Sequence, residues 1–209
     1  MYTPRSFRVE DISVLHQLIR DYSFGILVSQ DGARPIATHL PFMVDPDRGT
    51  NGTLIAHMAR ANPHWKSWSE RTTVMAIFQG PHAYISPAWY EAQQTVPTWN
   101  YATVHACGRP RLVHEPAELR PMVEALMDIH ETAAGSDWER DLMETVMGVE
   151  LQAIVGFEIP IDSIEGKFKF NQNRSREDQE GAAAALEGSD DPLERDAGAI
   201  MRRNLDGAP

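Results

Sequence analysis

Between Gly25 and Val113 the chain is a succession of short strand-like runs joined by turns, with little room for helix. GILVS (25–29) and PIATHLPFMV (35–44) flank the turn-forming Gln30-Asp31-Gly32, and TLIAHMA (53–59) follows the loop DPDRGTNG. TVMAIFQG (73–80), HAYIS (82–86) and NYATVHACGRPRLV (100–113) continue the series. Turn chemistry between such runs predicts antiparallel hairpins. One short helix is read inside the series, from Asn62 to Trp68, with Asn62 as its N-cap and Pro63 at the first helical position. Strands and helices do not alternate, and neither a dinucleotide glycine fingerprint nor a P-loop is present, which disfavours a doubly wound nucleotide-binding domain. Helical spacing appears at the flanks: Ile12, Leu15, Leu18, Ile19 and Tyr22, then residues 118–133 and 137–147, before a last strand QAIVGFEIPI (152–161). The pattern predicts a mainly β fold with peripheral helices, a small barrel whose closure would cover its strand edges.

A length of 209 residues suits one domain, read over 1–174, followed by a polar, acidic tail over 175–209 that is helical or partly disordered. The net charge of −11, from 30 acidic and 19 basic residues, argues against a broad nucleic-acid-binding surface, because phosphate neutralisation supplies most of the affinity for DNA. A single cysteine, Cys107, rules out an intramolecular disulfide framework and fits a reducing compartment. The start MYTPRSFRVED lacks a basic region followed by an apolar stretch, and no apolar run approaches the roughly 20 residues of a membrane span. These features predict a soluble cytoplasmic protein with no membrane partner.

Four strings are dense in polar and aromatic residues: ATHLPF (37–42), HMARANPHW (57–65), YISPAWY…VPTWNY (84–101) and GKFKFNQNR (166–174). In this order and spacing, from the opening MYTPRSF to Arg174, they resemble the PaiB family of FMN-binding negative transcriptional regulators. That family belongs to the flavin-binding split barrels, relatives of pyridoxamine phosphate oxidase. The resemblance implies an FMN-binding split β-barrel and a homodimer with FMN between two subunits. It places Thr38, His39, Leu40, His57, Met58, Ala59 and Asn62 in one subunit's wall, and Thr98, Trp99, Asn100, Lys169, Gln172 and Arg174 in the partner's.

The residues suit that implication. An FMN site must satisfy a phosphate with nearly two negative charges and offer a flat apolar slot with a few donors and acceptors. Arg60 adds charge where the strand gives way to Asn62-Pro63, whose helix-opening N–H groups would face an anion, and Thr38 and His39 could add donors. One departure stands out: fewer basic residues occupy the positions where pyridoxamine phosphate oxidases surround the phosphate, so either phosphate affinity is lower or a second subunit supplies charge.

Each piece also has a plainer reading. A lone histidine such as His39 or His57 is usually a surface or hydrogen-bonded core residue. Trp65, Trp68, Trp89 and Trp99 suit core or dimer packing, and Arg60 suits a solvated charge. His57 and His64 lack the one-turn spacing of a zinc helix and have no carboxylate beside them, so no metal is expected. Ser86 has no glycine-flanked elbow. Residues 118–147 carry more acid than base and no DNA-reading signature, so direct DNA contact is not expected of a regulator built this way. The alternative is a flavin-dependent oxidoreductase or a haem-degrading-type split-barrel enzyme, with Trp99, Tyr101 or His105 shaping a substrate slot. A flavin carrier or sensor without turnover is a third. No catalytic residue is singled out.

Overall fold

The expected strands form where apolar residues alternate with polar ones, and turn chemistry sets their ends. The computed structural model describes residues 1–92, 95–138 and 144–207. Its strands are β1 (Arg8–Val9), β2 (Phe24–Asp31), β3 (Arg34–Pro41), β4 (Met43–Asp45), β5 (Thr53–Ala59), β6 (Val74–Ile85), β7 (Thr98–Gly108), β8 (Arg111–Val113) and β9 (Ile154–Lys169). Its helices are α1 (Ile12–Asp21), α2 (Pro116–Ala134), α3 (Glu144–Glu150), α4 (Arg176–Glu187) and α5 (Pro192–Asp206). The hydrogen-bonded order is β3-β2-β6-β7-β9-β5-β4, with β1 and β8 also pairing with β9. Among the described residues this path ends on β3 and β4 without closing. The edge strand β3 carries Pro35 and an exposed Arg34, both of which discourage pairing with another chain. Part of the helix expected over 137–147 lies outside the described residues.

The chain divides into two compact units, and β6, β7, β9 and α1 each contribute residues to both. One unit comprises Ile19–Phe78 and His105–Ile164. Its β2–β3 hairpin pairs from Phe24↔Pro41 to Asp31↔Arg34, and β5 pairs with β9 from Thr53↔Pro160 to Ala59↔Ile154. The run expected as one strand over 35–44 divides at Phe42. Its N–H turns to the Ser23 carbonyl at 2.9 Å, and its ring packs edge-on against Phe78 and Phe157, at 5.3 and 6.3 Å between centroids. Helix α2 covers β9 where Gly156 leaves space: a Cβ there would lie 2.6 Å from Leu119 Cδ1. Ile55, Val113, Leu119, Met122, Met147 and Leu151 form the resulting core. Burying each such side chain contributes roughly 1.5–3 kcal/mol.

The other unit comprises Met1–Leu18, Gln79–Val104 and Glu165–Pro209. Here β1 pairs with the end of β9, Arg8↔Lys167 and Val9↔Gly166, and Leu15 of α1 packs onto Gly166. The two strands read over 73–86 are one strand, β6. Gly80 serves close packing and not a turn, since a Cβ there would meet Leu18 Cδ1 at 3.1 Å and Ala102 Cβ at 3.4 Å. Residues 176–206 form α4 and α5, whose Ala182, Ala183, Leu186 and Ala197 are fully buried. Asp178, capped at its own N–H by Ser175 Oγ, accepts hydrogen bonds from the Glu91 and Ala92 N–H groups at 3.0 and 3.2 Å. No helix among the described residues is long and apolar enough to cross a membrane.

Candidate functional site

In the first unit the β2–β3 hairpin turns Ser29 and Thr38 to the same face, and a buried histidine lies across them. His64 is 0% exposed, its Nε2 is 2.7 Å from Ser29 Oγ, and its Nδ1 is 2.7 Å from Thr38 Oγ1. Asn62 Nδ2 donates to Thr38 Oγ1 at 3.3 Å, and Trp68 Nε1 donates to Ser29 Oγ at 3.4 Å. Burial pushes the His64 imidazole below the ordinary histidine range, which favours its neutral form. The segment that delivers it is a single 3-10 turn, His64–Ser67, with Lys66 N–H donating to Pro63 O and Trp68 N–H to Trp65 O. The helix expected from Asn62 to Trp68 is therefore shorter and tighter. One such turn aligns too few peptides to build the dipole of a longer helix. The N-cap position is Pro63 and not the expected Asn62, whose Oδ1 instead closes a local turn by accepting from His64 N–H at 3.0 Å.

The remaining residues expected in this wall occupy varied settings. His39 is exposed on the outer side of β3, its ring stacked on Phe24 at 6.4 Å. Leu40 and Met58 point into the core, at 7% and 2% exposure, so only their backbones could face a ligand. Ala59 is exposed at the end of β5. Arg60 is committed: Nε donates to Gln152 O at 2.8 Å and an Nη to Ile154 O at 2.7 Å. His57 is half-buried on β5, its Nδ1 has no hydrogen-bond partner among the described residues, and burial lowers its pKa. An open cleft of about 590 Å³ in this unit shares Ser29 with the His64 network and reaches Arg71 and Cys107, but none of the fourteen expected residues lines it.

The second unit gathers the other expected group. Lys169 Nζ donates to Thr98 Oγ1 and, at 2.6 Å, to the Trp99 carbonyl. Desolvation lowers the Lys169 amine from the usual lysine range, and the positive charges of Lys167 and Arg174 lower it further. Trp99 is 54% exposed, with His82 tilted against its ring at 6.4 Å and Tyr84 edge-on at 6.0 Å. Arg174 lies over the Tyr90 ring at 5.2 Å, and Lys167 over Tyr101 at the same distance. Two residues serve structure instead. Gln172 staples its own chain, accepting from Phe170 N–H and donating to Phe168 O, both at 2.7 Å. Asn100 is 0% exposed and donates to Met201 Sδ at 3.4 Å, and its Oδ1 has no partner among the described residues.

Residues 1–163 match the family model described as "Putative FMN-binding domain". The chain belongs to that family. Over 207 residues it is 31% identical to the Bacillus subtilis "Protease synthase and sporulation protein PAI 2", covering 98% of both chains, which supports the PaiB resemblance carried by the four strings. Among solved structures it is similar to a flavocytochrome from Azotobacter vinelandii, at TM-score 0.58 and 13% identity over 80% of this chain and 72% of that one. It is also similar to the FAD and haem binding protein of Mycobacterium smegmatis, at TM-score 0.57 and 15% identity over 78% of this chain and 73% of that one. The fold is that of the flavin-binding split barrels, with the strand path left open.

FMN is the cofactor of this family, and the residues present suit it. Three buried side-chain polar atoms lack a partner among the described residues, and two of them, His57 Nδ1 and Asn100 Oδ1, belong to residues named from the sequence. Such orphans are uncommon in folded proteins, and the one on half-buried His57 marks a place where a ligand can complete the bonding. Sequence reasoning missed His64 and Ser29. The signal was a histidine two residues after an asparagine, opposite two hydroxyl-bearing strand positions, within the segment read as a short helix from Asn62 to Trp68.

Proposed function

We propose that the chain works as an FMN-binding homodimer that exerts PaiB-type regulation through the flavin and not through a DNA-reading surface of its own. One observation carries the reading: Lys167, Lys169 and Arg174 cluster beside a half-exposed Trp99 in a chain whose net charge is −11. A flat aromatic face next to concentrated positive charge matches a planar ring bearing an anion. When bound, FMN supplies reversible one- and two-electron transfer. Thr38, His57 and the backbone around Ala59 and Asn62 would bind it from one subunit. Thr98, Trp99 and Lys169 would bind it from the other, with Lys169's remaining N–H available to an anionic oxygen. Tyr84, Val96 and Trp99 are 43%, 68% and 54% exposed, and a second copy would cover them.

The test is the visible spectrum of purified protein with and without added FMN, together with light scattering at micromolar concentration. Saturable perturbation of the flavin bands by a dimer is expected. A monomer with an unperturbed flavin spectrum overturns the reading. Specific retardation of duplex DNA at physiological salt by the isolated protein would contradict the indirect route. A second reading, a flavin-dependent oxidoreductase, is favoured by the open aromatic face of Trp99 flanked by His82 and Tyr84, which could stack a planar substrate. Bleaching of bound flavin by a nicotinamide donor, with turnover on reoxidation, distinguishes it.

A further inference from the structure

The His64 network has a direction, and the direction decides what Thr38 does. The Trp68 indole N–H can only donate, so Ser29 Oγ is an acceptor there. Asn62 has its Oδ1 occupied by His64 N–H, which fixes its amide orientation and makes its Nδ2 a donor to Thr38 Oγ1. Between these two hydroxyls sits a neutral imidazole, which has one N–H and one acceptor nitrogen. Two arrangements remain. If Nε2 carried the proton, Ser29 Oγ would accept twice, and its own hydroxyl proton would be stranded at a residue only 4% exposed. If Nδ1 carries it, Ser29 O–H donates to Nε2, His64 Nδ1–H donates to Thr38 Oγ1, and every buried donor is used. A fully buried donor without an acceptor is far more costly than a hydroxyl proton at the partly exposed Thr38, so the second arrangement wins.

We infer that His64 is a positioning residue: as the Nδ1-protonated tautomer it fills Thr38 Oγ1 with donors and forces the Thr38 hydroxyl to donate outward, to an oxygen of the bound flavin phosphate. Thr38 Oγ1 accepts from both Asn62 and His64, and no acceptor for its own proton is present among the described residues. A hydroxyl whose lone pairs are both taken can recognise only an acceptor, and a phosphate ester offers the strongest one on FMN. The inference rests on the flavin reading above, but the tautomer does not.

Two measurements test it. Long-range proton–nitrogen correlation on protein carrying nitrogen-15 histidine reads the tautomer directly, with a His64→Gln variant assigning the signal. A neutral imidazole protonated on Nδ1 near pH 7 is expected, and an Nε2-protonated or doubly protonated ring overturns the inference. Calorimetry with FMN and riboflavin on the full-length protein then reads the outward donor. Thr38→Val is expected to weaken FMN binding roughly tenfold more than riboflavin binding, and Thr38→Ser is expected to restore it. Equal losses for both ligands overturn the phosphate as the acceptor. Wild-type protein that binds neither ligand overturns the flavin reading and the acceptor with it, whatever the tautomer; FMN binding with the wrong tautomer overturns only the inference.

Discussion

Glu158 on β9 is the place where one substitution should test the electrostatics of the fold most sharply. Its side chain is 9% exposed and accepts four hydrogen bonds, from Arg48 at 2.9 and 2.7 Å and from Arg111 at 3.2 and 2.9 Å. The Arg48 bonds first, and then those from Arg111, hold its pKa below the ordinary 4.5 of a glutamate against the upward push of burial. Glu158→Gln keeps the shape and removes the charge. Were both arginines buried, breaking such a group would cost about 3–5 kcal/mol, but theirs are half-exposed and water takes up part of the loss, so about 2 kcal/mol is expected. For a typical urea dependence of roughly 2 kcal/mol per M, the midpoint falls by about 1 M. The sign with pH follows from the depressed folded pKa. The carboxylate's contribution is fully present above the unfolded value and disappears as pH falls through the folded one. Urea titrations of wild type and variant should therefore differ by a constant amount from neutral pH down to about pH 5 and converge below pH 4. A gap absent at pH 7, or one undiminished at pH 3, would refute the account.

Asn62→Ala should lose about 1 kcal/mol of stability, because its side chain accepts from His64 N–H and donates to Thr38, and should weaken FMN more than riboflavin because it also unseats Thr38; urea titration and calorimetry check both. Arg60→Ala is expected to show no such bias between the two ligands, since its guanidinium is spent on backbone carbonyls, and should cost about 1 kcal/mol in a thermal melt. Gly181→Ala would ordinarily stabilise a helix, but a Cβ there would come 2.2 Å from the Trp89 carbonyl oxygen, so a loss of roughly 1–3 kcal/mol is expected in the same melt.

Much of this fold was legible because strand alternation and turn residues act locally. β5 falls on the expected residues, and β2, β3 and α1 are displaced by one to a few. What eluded the sequence was set by contacts distant in the chain. Phe42 breaks its strand because Phe78 and Phe157 receive its ring, and Gly80 continues its strand because Leu18 and Ala102 leave no room for a side chain. Nothing in either segment announces those neighbours. The candidate site was legible as a set of strings, but not as a division of labour. Arg60, Gln172 and Asn100 look like ligand-facing polar residues and turn out to hold backbone or core. His64, weighed in the sequence only as a metal ligand, is wholly buried and organises its surroundings.

The alanine-rich run of α4 has a different kind of consequence. Gly198 of α5 would place a Cβ 3.0 Å from Leu186 Cβ and from the Glu187 nitrogen, so the two helices meet at backbone distance, with Ala182, Ala183 and Ala197 sealed beneath. A composition that resembles low complexity is here a steric specification. Among descendants of this chain, drift at those positions should be bounded by volume: Gly198 is held as glycine and the alanines yield only to residues of similar size, while leucine or valine is purged. The stretch that reads as the least informative in the sequence would then be among the slowest to change in size.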